Sequence, residues 1–200
     1  MNVHLELTRR CLLACPKCPR TIMRGQYDIC DLSLNHIEQV CKLNPKMIYL
    51  LGNYGDPIYH PQMHEIIMIM QHYNQPFSLH TAGTGKRLDW WSDIYDSYDN
   101  TKSKFVFVVD GIEHSAPIYR IGMNWSETFG AMSLGASLGK NIEWEYIIMK
   151  HNEDDVEQAQ IMAREHGIKF KLRYSQKWDG DNDPYKPLMT YEQYKSFLTA

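Results

Sequence analysis

Three of the chain's five cysteines crowd into eight residues, Cys11-Leu-Leu-Ala-Cys15-Pro-Lys-Cys18, and none lies beyond Cys41. An odd, front-loaded set is a poor disulfide framework and a good metal-site pattern for a reducing compartment. Iron-sulfur clusters usually take four cysteines, and structural zinc takes four ligands. Three thiolates in one short loop therefore leave one position open, where a substrate or cofactor can bind. A zinc knuckle completed by a histidine or by Cys30 is the alternative. Three buried, metal-free cysteines fit less well, because Pro16, Lys17 and Pro19 do not resemble core.

Further along stand other residues able to grip a ligand. In Gly52-Asn53-Tyr54-Gly55-Asp56-Pro57 the glycines let the backbone approach closely and the acid can receive an ammonium group, although Gly-Asp-Pro also makes an ordinary turn. Thr81-Ala82-Gly83-Thr84 offers a second turn, and Val109-Asp110-Gly111 a third, followed by Tyr119-Arg120. A guanidinium suits a carboxylate through paired hydrogen bonds, so Arg120 is either a carboxylate ligand or a solvated surface residue. Asp110 should face the site, since burying it in a sheet carries a large desolvation cost.

The elements that must position these residues alternate strand and helix, as expected of a βα-repeat with a parallel sheet. Predicted strands are Val3 to Leu7, Met47 to Leu51, Phe77 to His80, Phe105 to Val109, Ile142 to Met149 and Ile168 to Arg173. Helices are predicted over Ser33 to Lys42, His64 to His72, Asp89 to Tyr98, Asn124 to Leu138 and Asn152 to Gly167. For the last, Asn152 is the expected cap, acids fill the first turn and Gly167 ends it. Six units are fewer than the eight of a closed barrel. The expected fold is thus α/β, a partial (β/α)6 barrel with parallel strands and its site at their C-terminal ends. Residues 1–174 form this barrel. Residues 175–200 are expected to be a loop and a short helix, Tyr191 to Leu198, packed on the same domain.

Composition narrows the function. The chain has 200 residues, 44% apolar content and a formal charge of −3, which suits one compact domain and offers no basic field for a nucleic-acid backbone. No apolar run approaches the ~20 residues needed to span a bilayer, and the N-terminus lacks a secretory pattern. The expected location is the cytoplasm, with no membrane partner.

C-x-x-x-C-x-x-C after a first strand resembles the signature of the radical S-adenosylmethionine superfamily. The later motifs, in order, resemble the core of its peptide-modifying branch: Gly55-Asp56-Pro57 its G-G-E-P segment, Thr81 to Thr84 its T-N-G-T, and Asp110 with Arg120 its S-I-D-G and following arginine. The resemblance covers Asn2 to about Arg173. It implies that Cys11, Cys15 and Cys18 hold a [4Fe-4S] cluster whose fourth iron binds S-adenosylmethionine. Reductive cleavage then gives a 5′-deoxyadenosyl radical, which abstracts hydrogen from a small-molecule or peptide substrate. It further implies that Gly55, Asp56 and Pro57 hold the methionyl amine, that Arg120 holds the cofactor carboxylate with Asp110 a further cofactor-site residue, and that Ile148 and Leu172 lie near adenine. An electron donor such as a flavodoxin or ferredoxin is implied as partner. Four departures stand out: aspartate replaces glutamate at Asp56, Ala82 replaces an asparagine, Val108 takes the serine position and so removes its hydroxyl, and Lys17 replaces a usually aromatic residue near adenine. No auxiliary-cluster cysteines follow Cys41.

A non-catalytic iron-sulfur protein for electron transfer or redox sensing, and a zinc-stabilised interaction module, remain as other readings. Within the enzyme class, nucleic-acid modification is the second substrate class. Cys30 and Cys41 read as small buried hydrophobes rather than a second metal site. Trp90-Trp91 reads as one core and one surface aromatic. The segment after Arg173 is either a cover for the open mouth, with Tyr174, Trp178 and Tyr185 as apolar elements and Lys177, Asp179, Asp181 and Asp183 as polar ones, or a plain solvated tail.

Overall fold

The computed structural model describes residues 1–23, 26, 28–175 and 178–199. Six parallel strands form one sheet in the order of the chain: β1 (Asn2–Leu5), β2 (Met47–Leu50), β3 (Phe77–Thr81), β4 (Lys104–Val108), β5 (Ile142–Ile148) and β6 (Lys169–Tyr174). The helices are α1 (Pro19–Ile22), α2 (Leu34–Lys42), α3 (Met63–His72), α4 (Leu88–Asp96), α5 (Ala116–Tyr119), α6 (Trp125–Ser137), α7 (Val156–Glu165) and α8 (Tyr191–Thr199). The expected partial (β/α)6 barrel is the observed fold.

Local chemistry sets the helix starts. Ser33 accepts a hydrogen bond from the His36 amide ahead of α2, and Asn124 accepts one from Glu127 ahead of α6, each satisfying an amide with no partner inside its helix. Gly167 adopts positive φ just beyond α7, as expected of a helix stop. Asn152 departs from its expected role as the cap of α7. A short 3-10 turn, Glu153–Asp155, precedes that helix, and Asn152 is buried instead. Its side chain accepts from the Met149 amide at 2.7 Å and donates to the Ile147 carbonyl at 3.1 Å. It closes the end of β5, where a strand leaves backbone groups unpaired.

The core lies between the sheet and its helices. Trp91 and Tyr95 of α4 stack at 5.5 Å and pack on Phe107 and Phe105 of β4, while Trp144 of β5 meets Trp125 and Phe129 of α6. Trp91 is fully buried and Trp90 is partly exposed beneath the Lys86 ammonium, as the dipeptide suggested. Each buried aromatic of this kind contributes roughly 1.5–3 kcal/mol. Cys41 is buried against Met70 at 3.7 Å, but Cys30 is exposed, on the extended segment where Arg9 donates its amide to the Cys30 carbonyl. The expectation of a buried Cys30 does not hold, because no helix carries that residue. No helix among the described residues is long and apolar enough to cross a membrane.

Candidate functional site

The loop after β1 is held by its own backbone. Cys18 donates its amide to Cys15 and accepts from Thr21 and Ile22 at the start of α1, while Ala14 donates to Ile121 at 2.9 Å, beyond α5. Arg20 donates to the Leu13 carbonyl. These bonds turn Cys11, Cys15 and Cys18 toward one cavity of about 320 Å³ at the C-terminal ends of the strands. All three are free thiols. Burial pushes the Cys11 thiol up to about 12, with Asp56 adding to the rise and the Leu13 backbone and Arg20 opposing it. Burial likewise raises Cys15, against the nearby Arg120. A buried thiol needs a metal or another cation to become thiolate. Among the described residues, no three His, Cys, Asp or Glu side chains gather as ligands of one metal ion.

The segment after β2 forms the next wall. Gly55 is required there: a Cβ would stand 2.0 Å from the Thr8 carbonyl oxygen, so any side chain would force the two loops apart. Asp56 donates its amide to Arg10 and is buried. One carboxylate oxygen accepts from the Thr81 hydroxyl at 2.9 Å and the Ala82 amide at 2.8 Å, and the other from the Ile58 amide at 3.3 Å. Asp56 thus ties the end of β2 to the end of β3. Burial raises its pKa, with those three donors opposing. Gly55 and Asp56 line the cavity, whereas Pro57 is buried at the head of a 3-10 turn, Pro57–Tyr59, and shapes the loop from behind. Ala82 lines the cavity with its small side chain, and its amide does the polar work.

The opposite wall is an ion pair. Asp110 is fully buried just beyond β4, and Arg120 follows α5. Arg120 donates to one Asp110 oxygen from Nε at 2.9 Å and from a terminal nitrogen at 2.8 Å, while the other oxygen accepts from the Ile147 amide at 3.1 Å. Burial disfavours the Arg120 charge, but Asp110 and Cys15 outweigh it and hold its pKa above the ordinary value. Both residues line the cavity, together with Tyr119, Ile147 and Met149.

Ile148 and Leu172 are placed elsewhere. Their side chains belong to the hydrophobic core, and on β5 it is Ile147 that faces the cavity. Strand alternation carries the signal for this: Glu143, Glu145 and Ile147 share one face, and Trp144, Tyr146 and Ile148 the other. A second cavity of about 260 Å³ shares Gly52, Gly55, Asp56, Ala82 and Arg120 with the first and adds His80 and Val108.

Lys17 does not line the cavity. Its ammonium pairs with Asp183 and, at 2.7 Å, with Asp179, and stands 5.9 Å from the Trp178 ring. Tyr185 meets Tyr119 edge-on at 5.1 Å and accepts the Lys150 amide at its carbonyl. Lys177 lies outside the described residues. The segment after β6 therefore returns to the cysteine loop and to a residue lining the cavity. Two acids after β6 gave no sequence signal that they pair with Lys17, since the contact spans more than 160 positions.

The architecture is shared with solved structures. SuiB of Streptococcus suis bound to S-adenosylmethionine matches with a TM-score of 0.79 at 11% identity, over 99% of this chain and 46% of that one. SuiB bound to the precursor peptide SuiA matches at 0.78 and 12% identity, over 99% and 45%. AnSMEcpe with bound AdoMet matches at 0.70 and 14% identity, over 98% and 57%. The chain thus spans about half the length of these structures. No protein-family model and no curated protein matches it.

Proposed function

We propose that this chain is the core of a radical S-adenosylmethionine enzyme, with a [4Fe-4S] cluster on Cys11, Cys15 and Cys18. The observation that carries this reading is the convergence of three loop thiols, Asp56 and the Asp110–Arg120 pair on one cavity at the strand ends, in a fold shared with proteins that bind S-adenosylmethionine. The donor set fits a cluster that keeps one iron open: three thiols line one cavity beside Asp56 and Arg120, whereas structural zinc takes four ligands. When bound, the cluster supplies one electron for cleavage of the sulfonium and so generates the radical that takes hydrogen from substrate.

The chain's own residues bind and enclose. Asp56 presents a carboxylate whose hydrogen bonds fix its direction, suited to the methionyl ammonium. Arg120, held by Asp110, presents its remaining donors to the methionyl carboxylate. Tyr119, Ile147 and Met149 form an apolar wall that excludes water from the reacting centre. Ile148 and Leu172 serve adenine through main-chain groups, because their side chains are committed to the core. The substrate reading is a peptide or a small molecule. The precursor peptide on SuiB favours the first, and the formal charge of −3 disfavours nucleic acid. A flavodoxin or ferredoxin in the cytoplasm would supply the electron.

Anaerobic reconstitution tests the reading. About four irons and four sulfides per chain are expected, with an electron paramagnetic resonance signal, after reduction, that changes when S-adenosylmethionine is added. Zinc without sulfide, or a cluster signal indifferent to S-adenosylmethionine, contradicts it.

A further inference from the structure

The inner face of the sheet carries charge that neither the cysteine loop nor the cofactor cavity uses. Trp144, Tyr146 and Ile148 are buried under the helices, so Glu143, Glu145 and Ile147 point inward. Register extends this face to β6, where Glu143 lies opposite Lys169, Glu145 opposite Lys171 and Ile147 opposite Arg173. Lys104 of β4 joins it, 3.0 Å from Glu143. Lys171 stands 3.3 Å from Glu143 and 3.2 Å from Glu145, and Arg173 stands 3.2 Å from Glu145. Lys169 donates to Asn141 at 2.8 Å. Three cations thus share two carboxylates, with Lys169 beside them, a local excess of positive charge in a chain whose net charge is −3.

This face is not a packed core. The interior of a closed barrel is filled by branched apolar side chains, whereas here the carboxylates are nearly covered, at 14% and 15% exposure, and Lys171 and Arg173 stand at 38% and 50%. The cations are therefore the part of the ladder that meets solvent. A parallel sheet is normally covered on both faces, so an open inner face calls for an occupant, and its charge selects an anion. Arg173 engages Glu145 through one terminal nitrogen alone, leaving its other donors for a ligand.

Position links this patch to the reacting centre. Arg173 is the register partner of Ile147, which lines the cofactor cavity. Glu145, paired to both Lys171 and Arg173, is the register partner of Val108, which lines the second cavity with His80.

We propose that Arg173 and Lys171 form an anion subsite that takes a carboxylate of the substrate alongside the cofactor cavity. The arginine fork offers paired hydrogen bonds and the lysine a point charge. The carboxylate belongs either to a free acid or to an acidic peptide side chain. This inference rests on the cavity being the S-adenosylmethionine site.

The test is calorimetric titration of the reconstituted protein, with S-adenosylmethionine present, by glutarate, by a short glutamate-rich peptide and by a lysine-rich peptide of equal length. Glutarate or the acidic peptide should bind, whichever does so identifying the source, and the lysine-rich peptide should not. Arg173→Gln and Lys171→Gln should each weaken the anion about tenfold or more, and Arg173→Lys by less. Lys42→Gln, on the exposed face of α2 beside Glu38, should change nothing. Absence of anion binding to the unmodified protein, equal binding of the basic peptide, or unchanged affinity in both glutamine variants overturns the subsite. Affinity for S-adenosylmethionine, measured in the same samples, should hold in every variant. Its absence in the unmodified protein would strike the proposed function instead, and the anion titration still scores the subsite by itself.

Discussion

Arg120 places two nitrogens, at 2.9 and 2.8 Å, on a single oxygen of the fully buried Asp110. The other oxygen takes the Ile147 amide, so one carboxylate joins the segment after α5 to β5 across the cavity. Removing the cation strands that carboxylate. Arg120→Gln should cost roughly 3–5 kcal/mol, the range for breaking a buried pair, and Asp110→Asn added to it should restore part of the loss. Urea unfolding of the metal-free protein checks this. Equal stability of Arg120→Gln and the unmodified chain would mean that the pair is solvated.

Asp56 has two duties that substitutions can separate. Asp56→Ala leaves the Thr81 hydroxyl and Ala82 amide without their acceptor, at a cost of about 1–3 kcal/mol in stability. Asp56→Asn keeps an acceptor oxygen and removes the charge. It should retain the cluster but lose about 1.5–3 kcal/mol of the charge-assisted contact to the methionyl ammonium, roughly ten- to a hundredfold in affinity. Equilibrium binding of S-adenosylmethionine to cluster-loaded protein decides it, and unchanged affinity would remove Asp56 from the binding role.

The Lys17–Asp183 pair makes the segment after β6 sensitive to acid. Burial opposes ionisation of Asp183, but Lys17 and the amides of Asp179 and Tyr185 outweigh it and bring the pKa to about 2, from an ordinary 3.8. A depressed carboxylate contributes its stabilisation in full above its unfolded value, and loses it as pH falls through the folded one. Anchoring should therefore weaken between about pH 4 and pH 2. Pepsin cleavage within residues 178–190 of the metal-free protein should accelerate over that window, and Asp183→Asn should show the faster rate already at pH 4. Identical pH profiles for the two proteins would show that the pair does not hold the segment.

Cysteine variants separate ligands from bystanders. Replacing Cys11, Cys15 and Cys18 together by alanine should abolish iron and sulfide binding. Cys30→Ala and Cys41→Ala should keep both, the first because Cys30 is exposed on a segment away from the cavity and the second because Cys41 packs on Met70. Cluster loss in either single variant would reassign the ligand set.

Much of this arrangement was legible in the sequence because its signals are local. The alternation of strand and helix patterns, and glycines at strand ends, act over a few residues, and they point to the parallel α/β order and the places where ligand-gripping residues fall. Where β5 turns its side chains is also written locally, in Glu143 and Glu145, whereas resemblance points to the strand without its face and so leaves out Ile147, which lines the cavity. Asn152 looked like a helix cap by type, but tertiary burial gave its amide to Met149 and Ile147 instead. The Lys17–Asp183 contact and the cation-rich ladder on β4 to β6 were out of reach, since both arise only when distant segments meet.

The central claim is that the cavity beside Cys11, Cys15 and Cys18 cleaves S-adenosylmethionine. Its most direct test is to incubate anaerobically reconstituted, reduced protein with S-adenosylmethionine and measure 5′-deoxyadenosine by chromatography, with the triple-alanine variant alongside. The account predicts 5′-deoxyadenosine from the unmodified protein and none above background from the variant. A fully loaded, reduced cluster that yields no 5′-deoxyadenosine, or equal amounts from both proteins, would contradict it.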